Sequence, residues 1–235
     1  MDKHFELTDK FIINAFGAKL FQIKCTRKIK YADIGDLGGY IEKEDNLYGD
    51  AWVSGDARVY GYARVSGNAQ VSGNAQVYGD AWVFGDAQVF GDAQVSGDAW
   101  VSGNAQVYGY ARVSGDARVY GDAQVFGNAW VFGDAQVSGY ARVSGYARVF
   151  GYARVFGDAR VSNDNEHCGF DCFGSANRHT HSYKTKSGKI EITCGCFRGS
   201  IEEFEKQIKE THRGNEFERQ YMAIVEVIKI KFGLK

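Results

Sequence analysis

A six-residue pattern of apolar and polar positions fills the middle of the chain. Val recurs at every sixth position from Val53 to Val161, nineteen times without a gap, and Ala stands two positions before each of them. Residues two apart point to the same side of an extended segment, so each Ala and Val pair shares a face. A Gly two positions before each Ala supplies a tight turn, because Gly adopts positive φ without strain. The pattern predicts short strands separated by turns.

Two architectures use such strands. In an antiparallel meander each Val would share a face with the Arg, Gln or Trp of the next strand, and nineteen strands would exceed the usual sheet size. In a parallel coil with three strands per 18-residue turn, each Val stacks on the Val eighteen residues later and the whole interior is Val and Ala. The pattern therefore predicts an all-β solenoid of about six coils.

The repeated unit V-[S/Y/F]-G-[D/N/Y]-A-[R/Q/W] resembles that of the hexapeptide-repeat, left-handed parallel β-helix superfamily over about residues 41–162. The left hand of the coil is what this resemblance implies. The lead-in DIGDLGGYIEKEDNLYGDAWV (33–53) and the tail SGKIEITCGCFRGSIEEFEKQIKETH (187–212) are similar to uncharacterised phage and prophage β-helix proteins, which are described as hexapeptide-repeat or transferase-like. The resemblance implies a phage or prophage origin and an interaction with host machinery, including interference with host defence.

Three segments follow from these patterns. Residues 1–46 contain short alternating stretches and are predicted to form an N-terminal β cap, residues 47–162 the β-helix, and residues 163–235 a small C-terminal α+β domain. In the last segment we expect a hairpin around Ser187-Gly188, a helix opened by a capping box at Ser200 and Glu203, and a second helix. A solenoid needs caps because its open ends expose strand edges.

Sorting the outward positions by eighteen gives three faces. One carries a Gln column (Gln70, Gln88, Gln106, Gln124) beside Phe90, Tyr108 and Phe126; the second places Trp82 and Phe84 below Trp100; the third places Trp130 and Phe132 below Arg148 and Phe150. All four Trp, Trp52 included, are expected to point outward. Exposed aromatic columns are typical of association surfaces, although stacking between strands explains outward aromatics equally. We expect self-association into a homo-oligomer first, and binding of a host protein second.

A belt of basic and aromatic residues surrounds the last coil. Its members are Tyr140, Tyr146 and Tyr152 on three corners, and Arg142, Arg148 and Arg154 on three faces. Interleaved basic and aromatic side chains are typical of grooves for single-stranded nucleic acid. Because these are spread around the coil, they favour a domain junction or a subunit contact over one linear ligand. Nucleic acid is not the expected partner, while a phosphate-bearing or nucleotide-type ligand at this rim stays open.

Composition indicates the cellular location and the classes of partner to expect. The chain has 235 residues, 44% of them hydrophobic, and a formal net charge of −1, which gives no reason to expect a nucleic acid or membrane partner. No apolar run approaches the ~20 residues of a membrane span, and the start Met1-Asp-Lys-His opens no signal peptide. We expect a soluble, cytoplasmic protein, in the host cytoplasm if it is phage encoded. Five Cys, an odd number, favour thiols or a metal over disulfides.

The repeats lack the histidines that catalysis in the resembled superfamily requires. The resemblance implies acyl transfer with a His base, or a three-His metal site on the coils, but the sequence has no His between His4 and His167. We therefore expect a non-enzymatic binding protein without a cofactor, with an acyltransferase-like enzyme as the alternative. A pair formed by Cys196 and His212 as nucleophile and base is a weaker hypothesis.

Two kinds of metal site are also conceivable. Weak candidates for a zinc site are Cys168, Cys172, Cys194 and Cys196, with His179 and His181 nearby in sequence. Their spacings are not those of zinc ribbons, and small buried thiols explain them equally. A corner column of Asp80, Asp98, Asp116 and Asp134 could bind divalent cations, or could serve its turns through side-chain hydrogen bonds.

Overall fold

The computed structural model describes residues 3–234 and consists of a rod of short strands closed at each end by longer ones. The longer elements are β1 Phe5–Ile13, β2 Lys19–Cys25, β3 Leu37–Ile41, β23 His167–Phe173, β24 Arg178–Lys184, β25 Ile190–Cys194, β26 Phe197–Gly199, α1 Ile201–Thr211 and α2 Glu216–Phe232, with a 3₁₀ turn at Glu44–Asn46. Between β3 and β23 lie nineteen two-residue strands, β4–β22, each made of a Val and the residue before it.

The two-residue strands form three parallel sheets, which are the faces of the rod. Face 1 contains β5 Arg58–Val59, β8 Gln76–Val77, β11 Gln94–Val95, β14 Arg112–Val113, β17 Trp130–Val131 and β20 Arg148–Val149. Face 2 contains β4 Trp52–Val53, β7 Gln70–Val71, β10 Gln88–Val89, β13 Gln106–Val107, β16 Gln124–Val125, β19 Arg142–Val143 and β22 Arg160–Val161. Face 3 contains β6 Arg64–Val65, β9 Trp82–Val83, β12 Trp100–Val101, β15 Arg118–Val119, β18 Gln136–Val137 and β21 Arg154–Val155.

The register is the predicted one. Each Val pairs with the Val eighteen residues later, as Val89 does with Val107, and every Val and Ala of the repeats is buried. The solenoid has about seven turns where the Val repeats predicted about six. The difference arises because β3, within the segment assigned to the cap, already pairs in parallel with β5 (Ile41 with Val59) and so begins the first coil.

Glycine is needed at the corners for two reasons. Gly103 has φ +67°, and a Cβ placed on it would lie 3.0 Å from the backbone nitrogen of Gly121 on the next coil. The peptide groups at the corners also form hydrogen bonds between successive coils. For example, the backbone amide of Asn104 donates to the Gly121 carbonyl at 2.9 Å. The left-handed conformation and the close stacking of coils both exclude a side chain at this position.

The N-terminal strands close the first end. β1 and β2 form an antiparallel hairpin, and β2 pairs with β3, so face 1 continues into the hairpin. The His4 ring hydrogen-bonds the Ala51 carbonyl at 2.8 Å and lies 6.1 Å from the Trp52 ring. Trp52 is only 2% exposed. Trp52 lies on the outward side of face 2 as predicted, but the N-terminal segment covers it, so it does not belong to an exposed aromatic surface.

The C-terminal segment closes the other end. Its antiparallel sheet has the order β23-β24-β25-β26, and the predicted hairpin and the capping box at Ser200 and Glu203 are confirmed. One side of the sheet packs on α1 and α2, whereas Tyr183 on the other side joins the core of the solenoid. Within residues 3–234 no helix is long and apolar enough to cross a membrane.

Candidate functional site

Face 2 carries the predicted Gln column and its aromatic neighbours. The Gln124 amide donates to the Gln106 side-chain carbonyl at 3.1 Å. The rings of Phe90, Tyr108 and Phe126 stack at 4.8 and 4.9 Å with interplanar angles of 2°. Each ring is half-buried, because Tyr108 stacks between Phe90 and Phe126 and covers one flat side of each. The stacking interaction itself accounts for this column.

Face 3 exposes a different arrangement. Trp82 and Trp100 stack at 5.6 Å and are 38% and 40% exposed. The guanidinium groups of Arg64 and Arg118 lie over the outer sides of this pair, each 5.2 Å from a Trp ring. The result is a four-residue column, Arg64–Trp82–Trp100–Arg118, which we call the Arg–Trp column. The 18-residue period places Arg64 and Arg118 in this column with the two Trp, so the signal for the whole column was present in the sequence.

Face 1 holds the remaining Trp. Trp130 is 43% exposed and lies under the Arg112 guanidinium at 5.0 Å, while Phe132 stacks on Phe150 at 5.4 Å. Ser96 and Ser114 line a shallow dent of about 210 Å³ beside this cluster. The serines stand where neighbouring coils have aromatic residues, so the aromatic surface of face 1 is interrupted.

The belt around the last coil is divided between two environments. Arg148 binds the Asp164 carboxylate through Nε at 2.9 Å and Nη2 at 2.7 Å, and Arg154 donates to the Gly195 carbonyl at 3.1 Å. These two Arg thus connect the last coil with the segments that follow it. Arg142 is exposed and pairs in register with Arg160, whose guanidinium donates to the Tyr140 carbonyl at 2.9 Å. The three belt tyrosines, Tyr140, Tyr146 and Tyr152, are 69%, 76% and 62% exposed.

A histidine cluster that was not among the predicted sites lies on the rod-facing side of the C-terminal sheet. The Nδ1 of His181 bonds the Arg154 carbonyl at 3.1 Å, so this nitrogen carries the proton and Nε2 accepts. The Nε2 of His181 accepts a hydrogen bond from the Nδ1 of His167 at 3.1 Å. His179 turns its Nδ1 to the Asp171 carboxylate at 2.6 Å. Alternation along the antiparallel strands places these rings on one side, a signal that was available in the sequence.

Burial favours the neutral form of His181 and His167. Burial, and then the neighbouring His167, lower the pKa of His181 to about 3. Burial also lowers the pKa of His167, against the opposing effect of Asp164. The rings border a cavity of about 330 Å³ between the last coil and the sheet, together with Arg148 and Lys231. His181 and His167 are therefore uncharged where the last coil meets the C-terminal sheet.

The cysteines are free and dispersed. Cys168 contacts the Ser182 hydroxyl at 3.1 Å and Cys194 accepts from Thr180 at 3.3 Å, whereas Cys172 and Cys196 are exposed. Nowhere in the described residues 3–234 do three or more His, Cys, Asp or Glu side chains come together as a metal site. Cys196 and His212 border one cavity of about 520 Å³. The residues of the Asp column (Asp80, Asp98, Asp116, Asp134) are exposed along one corner.

The comparisons with known proteins concern the repeats. Six segments match the family model described as YdcK Beta solenoid repeat, at residues 51–67, 69–85, 75–91, 93–109, 111–125 and 123–139. The central part of this chain is a β-solenoid. The match supports a place in the β-helix superfamily and covers the repeats alone. A search of curated proteins found no match to the chain.

Proposed function

We propose that this β-solenoid is a non-enzymatic scaffold that associates with a second copy of itself through face 3. The observation that carries the proposal is the Arg–Trp column. Trp and Arg are the residue types that most often dominate the energy of protein interfaces, and here they stand together on a flat surface. Unlike the stacked rings of face 2, the Trp82 and Trp100 side chains are exposed.

The charges beside the column favour a second copy as the partner. Asp80, Asp98 and Asp116 each lie two residues before a member of the column, so an acidic edge runs along a strip with Arg64 and Arg118 at its ends. A twofold axis parallel to the rod, between the column and the acidic edge, would place the acidic edge of one copy opposite the column of the other, with Asp116 near Arg118. Twofold contacts require such self-complementary patches.

The origin of the protein bears on a second partner. A phage or prophage origin, which the resemblance of residues 33–53 and 187–212 implies, would make a host protein a further ligand of the same faces in the cytoplasm. An acyltransferase-like activity would need a base from outside the coils, because residues 53–161 contain no His. We therefore favour the scaffold over the enzyme.

The test is the mass of the protein in solution. Light scattering after size exclusion is expected to give about twice 26.0 kDa for the wild type and the monomer mass for the variant Trp82→Ser/Trp100→Ser. The matched control is Phe90→Ser/Tyr108→Ser on face 2, which should stay dimeric. Circular dichroism confirms that each variant is folded.

Two results would contradict the proposal. The first is a wild type that remains monomeric at about 100 μM, a concentration at which even a complex with a Kd of 10 μM would be mostly formed. The second is a dimer that survives in the Trp82→Ser/Trp100→Ser variant or dissociates in the face 2 control instead, since either result would place the contact on another surface.

A further inference from the structure

The C-terminal domain contains a cavity with an aromatic wall. The cavity has a volume of about 520 Å³ and lies between the turn that joins β25 to β26 and the two helices. Phe204 lies 4.9 Å from Phe197 and 5.9 Å from Tyr221, and the His212 ring stacks on Tyr221 at 5.5 Å. This volume is typical of small-molecule sites. The wall offers aromatic surface to an apolar group of a ligand.

The charged residues at the cavity have one sign. Arg178 and Arg198 border it, and none of its described lining residues is Asp or Glu. Arg198 is engaged with the Glu191 carboxylate. Arg178 forms no salt bridge within residues 3–234. A guanidinium group presents a planar fork of donors that matches carboxylate or phosphate oxygens, so the cavity offers an unneutralised site for an anion.

The turn beneath Arg178 is shaped to let its side chain pass. Gly195 has φ +60°, and a Cβ at this position would lie 2.8 Å from both Cδ and Nη1 of Arg178. The Arg154 guanidinium holds the same turn through the Gly195 carbonyl at 3.1 Å. Any side chain at Gly195 would both strain the backbone and displace Arg178. The guanidinium group therefore reaches the cavity across a fixed glycine turn.

The Tyr221 hydroxyl provides a neutral donor near the same charge. Burial, and then the Cys194 thiol, raise the pKa of Tyr221 to about 12, while the positive charge of Arg178 acts in the opposite direction. The hydroxyl is thus protonated at neutral pH, and both Tyr221 and Arg178 line the cavity. Together they supply a charged and an uncharged donor at one end of the aromatic wall.

We propose that this cavity binds a small organic anion: a carboxylate or a phosphate monoester attached to a flat apolar ring. Arg178 binds the anion, and the ring lies against Phe197, Phe204 and His212. Both anion types share the chemistry that a guanidinium fork recognises. The cavity lies outside the faces of the rod, so this inference does not depend on self-association through the Arg–Trp column.

Calorimetry with four probes tests the proposal. Phenyl phosphate and benzoate, which have both a ring and a charge, should bind with a Kd below about 1 mM. Inorganic phosphate, which lacks the ring, and benzamide, which lacks the charge, should each bind at least about tenfold more weakly, because each loses one of the two contributions. The relative affinity for phenyl phosphate and benzoate identifies the preferred anion.

A matched pair of variants isolates the role of Arg178. Arg178→Gln should weaken phenyl phosphate binding at least about tenfold, the usual loss when a charge-assisted contact is removed. Arg219→Gln, on an exposed α2 position outside the cavity, should leave it unchanged. Equal affinity of the two variants would overturn the proposal, as would the absence of saturable binding by either aromatic anion or equally tight binding of inorganic phosphate.

Two exposed thiols give a second readout in the wild type. Cys196 borders the proposed site, and Cys172 borders the neighbouring cavity. Phenyl phosphate at nine times its Kd should slow the alkylation of Cys196 by iodoacetamide about tenfold, in proportion to the unoccupied fraction, and should not slow that of Cys172. Mass spectrometry of the labelled peptides measures both rates. Equal protection of the two thiols, or none, would contradict binding at this cavity.

Discussion

Individual polar residues at the rod end are held in one protonation state by what surrounds them. The Arg154 carbonyl fixes the proton of His181 on Nδ1, and His181 in turn accepts from His167. Asp164 and Lys231 face His167 from the connecting segment and from α2, and His179 lies on the other side of His181. Protonating the central ring would introduce a charge into a fully buried position, which is costly.

This cluster predicts acid-sensitive stability. The pKa of His181 is near 6.5 in the unfolded chain and about 3 in the native protein, so the unfolded state binds the proton first. The contribution of neutral His181 to the free energy of unfolding is complete above about pH 6.5 and is lost as the pH falls toward 3. Between pH 7 and pH 5 this loss is roughly 2 kcal/mol. Denaturant unfolding at both pH values measures it. His181→Gln should reduce the slope of the free energy of unfolding against pH by the equivalent of about one proton. An unchanged slope would contradict the conclusion that His181 is the group responsible.

A second residue-scale prediction concerns the corner glycines. Gly103 and Gly151 have φ of +67° and +62°, but a Cβ on Gly103 would meet Gly121 whereas nothing lies within 4 Å of one on Gly151. Gly151→Ala should cost about 1 kcal/mol for the left-handed backbone. Gly103→Ala should cost about 1–3 kcal/mol more because of the clash. Equal midpoints of the two variants in denaturant unfolding would contradict this prediction, because they would show that neighbouring coils move apart at no cost.

At the scale of the element, no strand of the rod is stable by itself. Each of β4–β22 has two residues, one buried Val and one outward side chain, and gains its order from the strands above and below. The outward columns reinforce this stacking through Gln amides on face 2 and through guanidinium–indole contacts on face 3. Stability is consequently a sum over neighbouring coils.

The stack predicts a clear difference between interior and surface valines. Val107→Ala, in the middle of face 2, removes two buried carbon atoms and leaves a cavity that the stacked coils cannot close. It should cost about 2–3 kcal/mol. Val227→Ala, at a 49% exposed position on α2, is the matched control and should change the free energy of unfolding by less than about 0.5 kcal/mol. Similar losses would contradict a rigid interior.

For the whole molecule, one continuous core joins the rod to its two ends. Phe5 and Ile23 of the N-terminal hairpin and Tyr183 of the C-terminal sheet belong to the same buried cluster as the Val and Ala of the coils. The last coil is held by the salt bridge between Arg148 and Asp164 and by the backbone bond from Lys186 to Asp158. The end segments thus cover strand edges that would otherwise pair with other chains.

Removing the C-terminal cover should expose such an edge. A chain truncated after Ser162 leaves the outer edges of β20–β22 uncovered, and we expect concentration-dependent, end-to-end assemblies that light scattering detects. The truncation is best made in the Trp82→Ser/Trp100→Ser background, in which the proposed lateral contact is absent, with the full-length double variant as control. A truncated chain that stays monomeric and folded would contradict a protective role for the sheet.

The sequence alone specifies the rod, because the Ala–Val period repeats one local environment nineteen times and only parallel coils bury every copy. It also determined the capping box at Ser200, which depends on residues three apart. Contacts between distant segments produce the burial of Trp52, the salt bridge of Arg148 with Asp164 and the hydrogen bond of His167 with His181. These features depend on how the end segments fold back onto the coils, and no period or local spacing encodes that contact.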